Sequence, residues 1–354
     1  MTSTASFCKS LGLRYPIVQA PMAYVQEHRM AIAVADEGAL GSIPCSTLKP
    51  SDILNRCQSF RQKSNGSLNM NFFCHQHQER NTEKDQRWFD SLADLYTRYG
   101  VTGSPGGDIS VRSFSDEACE IVEQVRPEVV SFHYGLPEKS LVDRVKQTGA
   151  AVWSSATSVR EAVQLEQWGC DAIIAQGLEA GGHRGHFLES DHTTQLGTFA
   201  LIPQVADAVD TPVIAAGGIS DWRTLQAAFV LGATAVQIGT AYLKSTESTI
   251  SDIHRMLLNT DVPVDTVITN VFTGRPARSF VNKAINELGP ISADVPDFPY
   301  ALPALAPLKK ATEEQGHFSS LWSGQSATLA PAMSSSDLTR FFAEGYLEYS
   351  KSQD

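Results

Sequence analysis

Eight short apolar runs recur along the chain, at residues 17–20, 39–43, 68–73, 129–132, 151–154, 172–175, 212–216 and 235–238. Most are followed by glycine or polar residues and then by a helical pattern. The runs are continuous rather than alternating, as suits strands covered on both faces in a parallel sheet. Two connecting helices are legible in detail. Ser158-Val159-Arg160-Glu161 is a capping-box pattern, Val159, Ala162, Val163 and Leu165 supply an apolar stripe, and Gly169 stands at a C′ position. After the seventh run, Ser220 or Asp221 can cap a helix whose Leu225, Ala228 and Phe229 face inward and which Gly232 ends. Strand–helix alternation repeated eight times predicts an α/β fold, a TIM (β/α)8 barrel. An open doubly wound sheet is the rival, but it would show an early GxGxxG turn, and none is present.

A barrel needs roughly 250 residues, and the chain has 354. The surplus falls at 76–127 and after 244. Prolines cluster at 290, 296, 299, 303 and 307, which predicts irregular chain with short helices between. The expected organisation is a barrel core over 1–244, a mainly helical lid segment over 245–330 that covers the active site, and a closing helix within 331–354. A net charge of −11 argues against nucleic acid or an anionic membrane as a partner. No apolar run approaches the roughly 20 residues of a membrane span. The six cysteines are scattered without a CxxC pair, as in a chain with reduced thiols. The expected location is the cytoplasm. Monomer and homodimer both remain open.

In such barrels the chemistry sits at the C-terminal ends of the strands. The sixth run leads into Gln176-Gly-Leu-Glu-Ala-Gly181-Gly182-His183-Arg184-Gly185-His186. Its glycines let the backbone approach a ligand, and His183 can move a proton near neutral pH. Arg184 reads either as an anion clamp or as a solvated charge. His133 ends the fourth run, as a substrate contact or as a support behind one. His186 and His192 read as surface residues. Asn69 and Asn71, two apart, share one strand face. Gly217-Gly218 and Gln237-Ile238-Gly239-Thr240 follow the seventh and eighth runs, where this fold places its phosphate cradle. His75-Gln76-His77 has metal-ligand spacing but no third ligand nearby, so no metal is expected.

These stretches resemble the nitronate monooxygenase family. The matching pieces are Pro16-Ile-Val-Gln-Ala-Pro-Met-Ala23, Asn69-Met-Asn-Phe-Phe-Cys-His75, Ser131-Phe-His-Tyr-Gly-Leu-Pro137, Gln176–Gly185, Ala215-Ala-Gly-Gly-Ile219, Gln237–Thr240, Thr273-Gly-Arg-Pro-Ala-Arg278 and Trp322-Ser-Gly-Gln325. The Asn-Phe-Phe-Cys-His and Ser-Phe-His-Tyr-Gly-Leu-Pro pieces look like its class I branch. The resemblance implies a flavoprotein with FMN bound non-covalently at the top of a TIM barrel. It implies FMN contacts at Met22, Asn71, Gln176, Gly181, Gly182, Gly217, Gly218, Gln237, Ile238, Gly239, Thr240, Trp322 and Gln325. His183 matches the family's active-site histidine, with His133 and Arg184 beside the substrate.

The implied reaction is oxidation of alkyl nitronates, propionate 3-nitronate above all, by O2 through a flavin semiquinone, without a nicotinamide. His183 would position the nitronate, or act as base for a neutral nitroalkane. Such an enzyme would detoxify nitroalkanes. An NAD(P)H-dependent flavin reductase of the quinone- or enoyl-reductase type, and a non-catalytic flavin-binding barrel, are the alternatives on the same scaffold. Ala23-Tyr24-Val25 departs from relatives that carry Gly after Pro-Met-Ala.

Overall fold

The computed structural model describes residues 3–76, 78–107, 110–189, 191–262 and 264–352. Helices alternate with eight parallel strands: β1 (Ile17–Gln19), β2 (Gly41–Pro44), β3 (Leu68–Phe73), β4 (Val129–His133), β5 (Ala151–Ala156), β6 (Ala172–Gln176) and, after a short β7 (Gly182–His183), β8 (Val213–Ala216) and β9 (Ala235–Ile238). The eight pair in the order β1-β9-β8-β6-β5-β4-β3-β2. A parallel bridge between Val18 and Leu40 closes the ring, with Leu40 N donating to Ile17 O (2.9 Å) and Gln19 N to Leu40 O (3.0 Å). The predicted TIM barrel is therefore present, and closure removes the open strand edges.

Strand alternation sorts the side chains into two cores. Ile17, Ile173, Val213, Ala215, Val236 and Ile238 point outward and pack against the helices. Val18, Leu40, Val129, Trp153, Ile174 and Ile214 point inward, joined by Phe7, Leu11 and Leu13 from the N-terminal segment. Phe7 stacks on Trp153 with ring centroids 5.7 Å apart, so helix Thr4–Ser10 plugs this inner core. Burial of each large side chain contributes roughly 1.5–3 kcal/mol. Elsewhere the interior is polar. Asn69 Nδ2 donates to Ser42 Oγ (2.9 Å) and its Oδ1 accepts from Ser131 N (3.1 Å), while Gln19 Oε1 accepts from Ser42 N (3.0 Å).

Ser158 caps helix Val159–Gln167, but the Glu161 carboxylate does not return to Ser158 as the capping-box pattern predicts. It is fully buried and accepts from Thr157 N and Oγ1 and from Phe187 N and Leu188 N. A helix-start residue thus anchors the loop after β6. Asp221 caps helix Trp222–Val230 with a complete capping box. Helix Ser335–Lys351 packs across that helix and helix His28–Asp36.

The segment 245–330 is less helical than expected. Its β10 (Thr266–Thr269) and β11 (Ala277–Phe280) form a hairpin, and β11 pairs antiparallel with β7. The Thr-Val-Ile-Thr run of β10 is rich in β-branched residues and suits a strand better than a helix. The two surplus regions also meet. Trp88, Leu95 and Tyr96 from helices Thr82–Ser91 and Ala93–Tyr99 share a small core with Phe272, Leu305 and Phe318. They form one cap on the barrel.

Candidate active site

A cavity of about 240 Å³ opens between the C-terminal strand ends and the cap. Met22, Asn71, His133, Gln176, Gly181, Gly182, His183, Gly217, Gly218, Gln237, Gly239, Thr240 and Trp322 line it. Most of the residues expected from the sequence thus converge on one space.

The loop after β6 is held from several sides. Gln176 Nε2 donates to His183 O (3.0 Å), and its Oε1 accepts from Gly185 N (2.8 Å). His133 Nε2 lies 3.3 Å from the same His183 carbonyl, and its Nδ1 lies 3.0 Å from Ser155 Oγ. A carbonyl only accepts, so His133 carries its proton on Nε2 and Nδ1 accepts from Ser155. It thereby hydrogen-bonds the His183 backbone while also lining the cavity. The His183 ring itself has Nε2 2.9 Å from Thr273 Oγ1 and faces Trp322 and Phe298 at 5.2 and 5.5 Å between centroids. Burial, then the Arg275 cation and His186, hold His183 down to about 3. Burial, then His183 and Arg275, do the same to His133, also to about 3. Both rings are neutral at physiological pH.

Three expected contacts stand elsewhere. Arg184 neither clamps an anion nor meets solvent. Its guanidinium is fully buried and donates to Gln195 Oε1 (2.7 Å), Gly177 O (2.8 Å) and Gln176 O (2.7 Å). The Glu179 and Glu161 carboxylates offset its charge. Ile238 turns outward into the core by strand alternation. Gln325 is exposed, its N donating to Glu179 O (3.0 Å), while its neighbours Gly324 and Ser326 line the cavity. His186 is also buried rather than on the surface. Arg275 covers it, donating to its carbonyl and lying 3.8 Å above the Tyr134 ring. His77 lies outside the described residues.

The glycines have separable causes. A Cβ on Gly181 would come within 2.5 Å of Gly324 N, so the 322–326 strap can lie against the loop only because Gly181 has no side chain. Gly324 N in turn donates to Thr240 Oγ1 (2.9 Å). Gly182 has open space but φ +74°, a left-handed backbone. The turn after β8 is tied in through Thr198 Oγ1, 2.8 Å from the Glu179 carboxylate and 2.9 Å from Gly217 O.

Thr273, His254, Phe298 and Arg275 come from the 245–330 segment, and the sequence assigned none of them a role at the site. His254 Nε2 lies 3.1 Å from Trp322 O and fixes the strap; burial lowers its pKa to about 4. The Thr-Gly-Arg-Pro-Ala-Arg piece was the signal for two of the four. Among the described residues, no group of three or more His, Cys, Asp or Glu could hold a metal ion, and no helix is long and apolar enough to cross a membrane.

A closed barrel, a cap and a convergent cavity at the strand ends define a (β/α)8-barrel enzyme. Residues 5–343 match the nitronate monooxygenase family. A nitronate monooxygenase of Paraburkholderia phytofirmans is 37% identical over 334 residues, covering 93% of this chain and 91% of the relative. One from Pseudomonas aeruginosa is 34% identical over 346 residues, covering 96% and 99%. The structure of nitroalkane oxidase from Streptomyces ansochromogenes superposes with a TM-score of 0.89 at 30% identity, covering 98% of this chain and 100% of that one. The chain belongs to the nitronate monooxygenase family and is an oxidoreductase, and oxidation of nitronates is the reaction the family is named for.

Proposed function

We propose that this chain oxidises alkyl nitronates of the propionate 3-nitronate type with O2, giving a carbonyl compound and nitrite or nitrate, and that it binds FMN to do so. The observation that carries the cofactor reading is Gln237. Its Oε1 is buried and has no hydrogen-bond partner among the described residues, although the side chain lines the cavity. A buried acceptor left without a partner costs roughly 1–3 kcal/mol, and the N–H on the pyrimidine edge of a flavin is a fitting donor. Gly239 supports the same reading: it lines the cavity, and a Cβ there would make only ordinary contacts with Ala20 Cβ at 3.5 Å and Met22 Sδ at 3.9 Å, so protein packing does not require glycine at this position. The turn at Gly217-Gly218 and the first N–H groups of helix Thr240–Leu243 suit a phosphate. Met22, Asn71, Gln176, Gly181, Gly182 and Trp322 would complete the holding set.

When bound, the flavin supplies the electron sink and the route of electrons to O2. The protein's part is orientation, charge and exclusion of water. A neutral His183 ring has one N–H and one lone pair; Thr273 occupies Nε2 and leaves Nδ1 for substrate. A pre-formed nitronate needs no base, so His183 positions it. With a neutral nitroalkane the lone pair takes the α-proton, weakly, because its pKa lies far below neutral. Arg275, stacked on Tyr134, supplies the positive field that the sequence suggested for Arg184. Residues 245–330 act as the lid, with Phe298 and Trp322 keeping water from the ring. This reading places a nitroalkane-detoxifying enzyme in the cytoplasm.

The purified protein is expected to be yellow. Under anaerobic conditions propionate 3-nitronate changes the flavin spectrum and NADH does not, and O2 uptake follows nitronate alone. Reduction by NADH without nitronate turnover would assign an NAD(P)H-dependent flavin reductase instead. A colourless protein that cannot be reconstituted with FMN removes the cofactor reading.

A further inference from the structure

Tyr24 follows β1 in a left-handed backbone, φ +66°, which L side chains rarely adopt. Its side chain is 66% exposed, so burial does not compensate. The backbone around it is pinned. Gln26 Oε1 accepts from Met22 N (2.8 Å), Gln26 Nε2 donates to Ser42 O (2.7 Å), and Val25 O accepts from Thr249 N (2.9 Å). Such strain persists where the surroundings over-determine it, and it clusters at functional sites. Tyr24 lines the cavity, and a lining side chain this exposed stands where the cavity meets solvent. Its hydroxyl lies 2.8 Å from Ser110 Oγ, 86 residues away. Ser110 precedes Val111, which lines the same cavity, and Arg112 N donates to Ser46 O (2.8 Å). The ring therefore links two anchored segments at the mouth.

We infer that Tyr24 is a specificity-determining residue: its ring, latched to Ser110, limits the width of the alkyl group that enters. This rests on the reading of the cavity as a nitronate site. A single exposed hydroxyl pair is a weak bond, so the latch opens as substrate passes.

Three variants test it: Tyr24→Gly, Tyr24→Phe and Tyr24→Ala. The kcat/KM ratio of a cyclic alkyl nitronate to ethyl nitronate is expected to rise about 5-fold or more in Tyr24→Gly and to stay within about 2-fold in Tyr24→Phe, which keeps the ring. Tyr24→Gly is expected to melt no lower than wild type and about 1–3 °C above Tyr24→Ala, because only glycine relieves the backbone. An unchanged ratio in Tyr24→Gly overturns the inference. A lower melting temperature for that variant overturns it too, by showing that Tyr24 packs structurally. If wild type turns over no nitronate, the proposed function fails on its own. Iodide quenching of bound-flavin fluorescence then decides the mouth: about a 2-fold rise in Tyr24→Gly supports it and no change overturns it.

Discussion

Arg184 carries its charge with none of its surface exposed. Its planar fork meets three acceptors on three sides, which a lysine cannot reproduce. Replacing it by methionine removes the donor to the buried Gln176 carbonyl, at roughly 1–3 kcal/mol, and leaves the Gly177 carbonyl with Ala180 N alone (3.1 Å). Arg184→Met is expected to lower Tm by several degrees and to lose flavin on dialysis; full flavin retention would show that the loop does not depend on it. His183 is the residue before Arg184 and lines the cavity. His183→Asn is expected to keep flavin and lower turnover about 10-fold or more, most with neutral nitroalkanes, and unchanged kinetics exclude a role in the reaction. Because burial holds the ring near 3, the pH profile with pre-formed nitronate should show no step near 6.5. Both residues stand side by side in the sequence, and their chemistry there looks alike. Their opposite fates follow from where the chain leaves β7: His183 is its last residue and lines the cavity, whereas Arg184, just past it with N donating to Pro276 O (2.9 Å), sends its guanidinium to Gln176, Gly177 and Gln195.

The loop after β6 gains its shape by borrowing elements from far along the chain. Gly182 and His183 become a strand only because β11 lies beside them, with His183 opposite Ala277. Two residues cannot declare a strand by themselves, so the sequence read them as loop. The same holds for the strap at 322–326, whose approach depends on Gly181. A Cβ at that position would overlap Gly324 N, which is backbone and cannot swing aside. Gly181→Ala is therefore expected to displace the strap and weaken flavin binding about 10-fold or more, read as the flavin dissociation constant by fluorescence. Unaltered affinity would mean that the strap does not contribute to the cofactor site.

Among the described residues, four histidines are held neutral, His186 and His254 buried and His133 and His183 half-buried: His133, His183 and His186 near 3 and His254 near 4, each lowered first by desolvation. Below their ordinary value of 6.5 the unfolded chain takes up protons that the folded protein refuses. Stability is thus intact above 6.5 and falls as pH drops toward 4, by up to about 1.4 kcal/mol per pH unit for each ring. The Tm is expected to fall from pH 7 to pH 5, less steeply in His186→Gln; equal slopes would place that ring in solvent. At this scale the sequence by itself determined the barrel, because eight buried strands need continuous apolar runs and each run announces its own helix. It also marked the strand ends where Asn71, Gln176, His183, Gly218 and Gln237 converge. Only the tertiary structure decided which charges are hidden, which histidines are neutral, and which cap residues reach the cavity. Burial and long-range pairing are set by segments as much as 303 residues apart, and no local pattern encodes a contact with a distant partner.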